Sequence, residues 1–379
     1  MQSNHSAFTY RWVASVYFFI AGITFASWAS RIPDIQQQLL LSEAQLGTLL
    51  MAIPIGLMAG LPLCGWLVSR WGAKATTLLS ALCYSLCLWA IGWAQHVYLL
   101  AFVLLLFGVF GNLYNVAVNT MAIAVQTHFS KSIMATFHGI WSIAGFSGAA
   151  VGALMVQLQI PPRAHFSMVL IAVWVVALFV YRWALPDKPT VNKGEKLFVV
   201  PDKALLGLGI MAFCCLICEG TMFDWSGVYF KKVVAAPTAW VPLGYVAFMC
   251  CMSLGRFISD HLVTRWSAIV VLQASGVLIM FGLLLSVIFP YIWLAAIGFM
   301  LVGFGVSSVV PLVYALAGKS KHMPPGLALT AVSTIGNFGF LLGPPLIGFI
   351  AQTASLRWSF VLIAVLGCFV ALLAKRTDP

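Results

Sequence analysis

The sequence predicts an all-α membrane protein: twelve transmembrane helices in two pseudo-symmetric six-helix bundles. Three observations predict it. Of 379 residues, 62% are hydrophobic and only 8% charged, whereas an ordinary soluble domain carries about a quarter charged residues. Apolar runs of about 20 residues, the length that crosses a bilayer, recur twelve times between charged or Pro/Gly punctuation. One polar stretch, 186–203, divides them six and six. So little charge cannot cover a soluble surface, which excludes a soluble enzyme, a disordered chain and a secreted disulfide scaffold. Twelve spans use about 250 residues, leaving no room for a folded domain outside the membrane.

In order, the spans are placed at 12–32, 45–68, 75–94, 97–123, 133–157 and 164–185. After the polar stretch come 204–230, 240–262, 267–288, 291–316, 326–351 and 356–375. The domains follow: an N-terminal bundle over 1–185, a cytoplasmic linker over 186–203 and a C-terminal bundle over 204–379. The first run follows only Arg11 and has no small-residue cleavage site. It is read as a retained helix, not a signal peptide.

The net charge of +11 would point to nucleic acid in a soluble protein. Here the basic residues stand singly between apolar runs, so nucleic acid is excluded as a partner. With both termini and the linker in the cytoplasm, fifteen of the twenty Lys and Arg residues fall inside, as the positive-inside rule requires. The expected location is a bacterial inner membrane. All nine cysteines lie inside apolar runs, where they read as small packing residues; no disulfide framework, metal or cofactor is expected.

The halves echo one another. The second span ends on Gly65-Trp66-Leu67-Val68-Ser69-Arg70-Trp71-Gly72-Ala73-Lys74. The eighth ends on Gly255-Arg256-Phe257-Ile258-Ser259-Asp260-His261, followed by Arg265-Trp266. Internal symmetry of this kind belongs to repeat-built transporters.

Six plus six spans, the linker, and the Gly65, Leu67, Arg70, Gly72, Lys74 pattern resemble the major facilitator superfamily over essentially the whole chain. That family usually has Asp before the Arg. Ser69 stands there here, and Asp260 is taken as its counterpart in the second half. Two further stretches, Ser27-Trp28-Ala29-Ser30-Arg31-Ile32-Pro33 and Glu219-Gly220-Thr221-Met222-Phe223-Asp224-Trp225, resemble the bacterial rhizopine-locus membrane proteins and, more distantly, fucose-type sugar–proton symporters. In the fucose-type proteins span four carries an acid four residues before an Asn. Asn119 matches that Asn, but Asn115 stands where the acid would be. The resemblance implies a monomeric transporter working by alternating access on a small molecule, with protons and membrane lipid as its other partners.

Ionisable groups at membrane depth are costly and mark function. Glu219, midway along span seven, is the first candidate for proton coupling. Asp224 is five residues on, roughly 140° around the helix, so the two cannot share a narrow face. Asp224 either faces a cavity or meets a neighbouring helix. Arg31 precedes Pro33, which bends span one, and shares a face with Ser27 and Trp28. It either snorkels to headgroups or grips an anionic or polar ligand, and when inward its expected partner is Glu219 or Asp224.

Span four carries Asn112, Asn115, Asn119 and Gln126 as one polar stripe. Span five adds His138, Trp141 and Ser142, then Gly145, Gly148 and Gly152, which read as a close helix seam. Asn337 in span eleven, Tyr314 in span ten and Trp225 complete the solute-binding candidates. Gly343-Pro344-Pro345 is expected to break the helix beyond Asn337. Arg70, Arg256 and Asp260 are expected at helix ends as inner-gate contacts.

With one arginine and many amides, the solute is expected to be a sugar, polyol derivative or organic acid. A proton-driven multidrug or metabolite exporter is the alternative within the class, and a transport-inactive receptor the alternative outside it. No enzymatic activity is expected: there is no acyltransferase box, metalloprotease His pair or P-loop.

Overall fold

The computed structural model describes residues 6–129, 133–186, 203–320, 323 and 325–375; the side chains of 135, 203, 204, 260, 325 and 326 lie outside that set. Among the described residues the chain is helical throughout, with no strand. The helices are α1 (Ala7–Ser30), α2 (Ile32–Gln38), α3 (Glu43–Leu50), α4 (Ala52–Gly92), α5 (Val97–Gln126), α6 (Met134–Gln157) and α7 (Pro162–Tyr181). They continue as α8 (Lys203–Lys232), α9 (Leu243–Trp266), α10 (Ala268–Ile288), α11 (Ile292–Ala317), α12 (Pro325–Thr353) and α13 (Leu356–Ala374).

Among the described residues eleven helical stretches are long and apolar enough to cross a membrane, one of them 50 residues long, Glu43–Gly92. At 1.5 Å per residue that stretch is about 75 Å, more than twice the hydrocarbon core. It reverses at Gly72, whose φ of 79° and ψ of 166° are non-helical, in a region essentially reserved for glycine. The stretch is therefore two spans, and the crossings among the described residues number twelve.

The chain divides into two compact units. One comprises Met1–Leu39 and Ala52–Gly194, the other Leu40–Met51 and Glu195–Pro379. The packing repeats. In the first unit α1 lies on α6, α5 on α4, and α7 on α4. In the second, α8 lies on α12, α11 on α9 and α10, and α13 on α10. Each unit thus pairs its first span with its fifth and its third with its sixth. The α9–α10 corner at Ser267 (φ 77°, ψ 157°) has nearly the backbone of Gly72.

That corner corrects the internal register. Leu67-Val68-Ser69-Arg70-Trp71-Gly72-Ala73 corresponds to Leu262-Val263-Thr264-Arg265-Trp266-Ser267-Ala268. The counterpart of Arg70 is Arg265, not Arg256, and Thr264 rather than Asp260 stands opposite Ser69.

Close backbone approach holds α4 to α5. A Cβ on Gly56 would lie 2.0 Å from the Leu105 carbonyl oxygen, and one on Gly108 would lie 2.0 Å from that of Ile53. On α6, Gly148 and Gly152 admit Ala26 and Ser30 of α1 in the same way. Hydroxyls buried in the helices donate back to carbonyls one turn earlier: Thr24 to Ile20, Ser80 to Thr76, Ser286 to Gly282. This leaves few bare donors where no water competes. Stacked rings fill the cores: Tyr84 on Phe107 at 4.2 Å in the first unit, Tyr229 on Phe360 at 4.3 Å in the second.

Two proline expectations are corrected. Pro344 and Pro345 lie inside α12, which runs unbroken to Thr353. Near Pro33 the interruption falls two residues earlier, at Arg31 (φ −110°, ψ 4°), and Pro33 sits in the first turn of α2, where proline lacks no needed N–H. The short α3, begun by a capping box between Ser42 and Gln45, packs on α12. A Cβ on Gly47 would meet the Pro344 carbonyl oxygen at 2.5 Å, and Lys232 pairs with Glu43.

Candidate functional site

Glu219 lies midway along α8, 7% exposed. Its Oε1 is 3.5 Å from Nη2 of Arg256 on α9. Small residues bring the helices to it. Gly220 admits the Phe340 ring of α12, and Gly255 admits Ser307 of α11, whose Oγ would lie 2.3 Å from a Cβ there. The charge of Glu219 reaches Tyr314 of α11 and Cys215 of its own helix. The Cys215 thiol donates to the Val306 carbonyl at 3.8 Å. Glu219, Arg256 and Tyr314, assigned to three different tasks in the sequence, therefore form one cluster.

This placement corrects the expectation for Arg256. It is not a helix-end gate residue: α9 continues ten residues beyond it to Trp266. The 262–268 repeat was the signal for this, because it carries the helix on to Trp266. Arg70 does sit at a helix end, exposed, with its guanidinium 5.7 Å from the Trp66 ring centroid. The side chain of Asp260 lies outside the described residues.

Asp224 is partly buried and, among the described residues, makes no hydrogen bond or ion pair. Beside it, Trp225 Nε1 and Ser226 Oγ are buried without a hydrogen-bond partner. Asn337 on α12 is exposed.

In the first unit Trp28 is 1% and Arg31 3% exposed. Arg31 donates through Nε to Asp34 and through Nη2 to the Ile160 carbonyl at 2.8 Å. The carboxylate beside Arg31 is thus Asp34, three residues away, and that of Arg256 is Glu219. Each arginine thus has a carboxylate within its own unit.

The span-four stripe divides. Asn112 donates to the Leu57 carbonyl at 2.9 Å, tying α5 to α4, and Gln126 accepts from the Ile133 backbone N–H at 3.0 Å. These two are structural. Asn115 is exposed and Asn119 half-buried, Asn119 donating to the Asn115 side-chain oxygen at 2.9 Å. His138 on α6 is exposed, its ring T-shaped to that of Phe18 with centroids 5.6 Å apart. Trp141 stacks loosely on Phe25 at 6.4 Å. Among the described residues no cluster of His, Cys, Asp or Glu could hold a metal.

Twelve crossings in two repeating units, each holding buried charge, define a membrane transport protein of repeat type. The Major Facilitator Superfamily profile matches residues 13–326, and the chain belongs to that family. An uncharacterized MFS-type transporter of Yersinia pestis is 33% identical over 358 residues, covering 94% of this chain and 93% of the relative. Membrane protein MosC of Rhizobium meliloti is 28% identical, covering 93% and 86%. Among solved structures, a point mutant of the nucleoside transporter NupG superposes with TM-score 0.78 at 13% identity, covering 97% and 99%. A point mutant of the E. coli fucose:proton symporter FucP superposes with TM-score 0.65 at 15% identity, covering 98% of each. These two likenesses show the fold, and the expected resemblance to the rhizopine branch holds through MosC.

Proposed function

We propose that the protein is a proton-coupled secondary transporter that moves a small polar solute across a bacterial inner membrane by alternating access. The observation that carries this reading is the buried Glu219–Arg256 pair. An ion pair removed from water gains little net energy, because desolvation offsets attraction. Protonating Glu219 leaves the Arg256 guanidinium without its carboxylate, which favours an arrangement in which Arg256 reaches water or a solute, and re-pairing with Arg256 expels the proton. Asp224, on the same helix and without a partner among the described residues, is the second carboxyl in the proton path.

Asn115, Asn119, His138, Trp141 and Asn337 offer amides and rings at exposed or half-exposed positions. Trp225 and Tyr314 flank the carboxyls, and Trp28 and Arg31 shape the end of α1. Such a set suits a sugar, a polyol derivative or an organic acid. The polar solutes for which FucP and NupG are named support that range. Arg70 and Asp260 are proposed as gate residues on the cytoplasmic side. The excess of Lys and Arg in the linker and alternate loops supports cytoplasmic termini.

The test begins with a thermal-shift screen of purified protein against sugars, polyols and organic acids, since a bound ligand stabilises by mass action. The hit is then used in proteoliposomes. A pH gradient should drive its accumulation by the wild type. Glu219→Gln should abolish accumulation while leaving solute counterflow. Undiminished pH-driven uptake in that variant removes Glu219 from the mechanism.

A further inference from the structure

We propose that the solute is a monocarboxylate, and that its carboxylate takes the place of Glu219 on Arg256 once a proton from water has gone to Glu219. The assignment rests on the coupling role given to Glu219 above and names the cargo of the same site.

Among the described residues of the second unit, Arg256 is the one arginine or lysine placed away from a helix end. Lys203 and Arg357 open α8 and α13, Lys231, Lys232 and Arg265 close their helices, and Lys319 and Lys375 lie just past α11 and α13. A permanent cation inside a span is costly and marks a functional contact. Its carboxylate is held loosely: Glu219 Oε1 is 3.5 Å from Nη2, against about 2.7–2.9 Å for a charge-assisted hydrogen bond. The guanidinium carries its N–H donors in a planar fork that fits a carboxylate through two parallel bonds. An incoming carboxylate that docks in this way makes the shorter pair. The Arg256 side chain is 23% exposed and that of Glu219 9%, so an arriving group meets the cation before the anion. Tyr314, half-buried on α11 and within reach of the Glu219 charge, adds a hydroxyl donor beside the pair.

Charge decides between an acid and a neutral solute. In the empty site the Glu219 carboxylate balances the Arg256 guanidinium. With a proton on Glu219 and a neutral polyol bound, the guanidinium stands without a counter-charge, the costly state of a buried pair that has lost one member. With a proton on Glu219 and a monocarboxylate bound, the balance is restored. A dianion would overshoot it. Asp224 relays the proton and returns to its own state, so it leaves the balance alone. Proton and monoanion then cross together with no net charge.

Thermal shift of the full-length protein in detergent tests this with matched probes: gluconate against glucitol, glucuronate against glucose, glycerate against glycerol, and lactate against propane-1,2-diol. Each acid differs from its partner by a carboxylate in place of a hydroxymethyl group. At least one acid should stabilise the wild type where its neutral partner does not. Its Kd should fall several-fold in Glu219→Gln, which removes the competitor. Binding should be lost in Glu219→Gln/Arg256→Gln, which leaves no charge stranded. If the double variant does not fold, the Kd of Glu219→Gln carries the test. No binding by any acid, a neutral partner that binds as well as its acid, an unchanged Kd in Glu219→Gln, or an acid still bound by the double variant would each overturn the proposal. An acid bound as expected, but accumulated in proteoliposomes without regard to a pH gradient, removes the proton coupling and keeps the carboxylate on Arg256. A neutral solute accumulated by a pH gradient through Glu219 keeps the coupling and overturns the monocarboxylate.

Discussion

Glu219 and Arg256 set the energetics at the scale of single residues. Removing one member of a buried pair strands the other in low dielectric, at a cost of about 3–5 kcal/mol when both are fully buried. The Arg256 side chain is 23% exposed, so the lower end applies. Arg256→Leu should therefore destabilise by about 3 kcal/mol. The double variant Arg256→Leu/Glu219→Gln should recover at least about 1 kcal/mol of it, the coupling expected of residues in contact. Chemical denaturation in mild detergent measures this cycle, and strict additivity would refute the pairing. Glu219 was legible in the sequence because a carboxyl amid Cys, Leu and Ile has no cheap explanation. Its partner was not, because the register of α8 against α9 is a tertiary fact. The Arg31–Asp34 pair was legible and missed: spacing of three on a helix is signal enough.

At the scale of helices, glycines decide how closely axes approach. Gly56→Ala or Gly108→Ala would drive a methyl into the facing carbonyl. Each should cost about 1–3 kcal/mol by overpacking, read as a lower Tm in detergent. Gly65→Ala meets nothing within 4 Å and should be neutral, or stabilising by up to about 1 kcal/mol through helix propensity. The α9–α10 corner gives the opposite sign. Ser267 holds the backbone that Gly72 holds at the equivalent corner, at a cost of about 1–3 kcal/mol for a non-glycine. Ser267→Gly should raise Tm and Gly72→Ser should lower it; equal Tm values would show that the corners differ. Helix ends were readable to within a few residues because leaving the bilayer forces a change of composition. The course of α12 through Pro344 and Pro345 was not, because helix packing overrides the local cost of proline in a membrane.

For the whole chain, twelve crossings were legible because a backbone in lipid has few options. The two-fold repeat was legible as well, though with a shifted register: the heptapeptides 67–73 and 262–268 align only when the corner backbone is matched. The proposed orientation rests on charge. Alkaline phosphatase joined after Lys375 should be inactive and a fluorescent protein there bright, since both termini are proposed to be cytoplasmic. The reverse pattern would overturn the assignment.

The grouping of Leu40–Met51 with the second unit bears on attempts to cut the gene in two. A break in the linker gives a downstream fragment whose α12 lacks the short helix that packs on Gly348, and an upstream fragment that carries the piece it lacks. Expressed separately, the upstream product should accumulate and its downstream counterpart should be degraded. Co-expression should rescue the latter only while residues 40–51 are retained upstream. The two products are therefore not interchangeable modules: one lends the other a part.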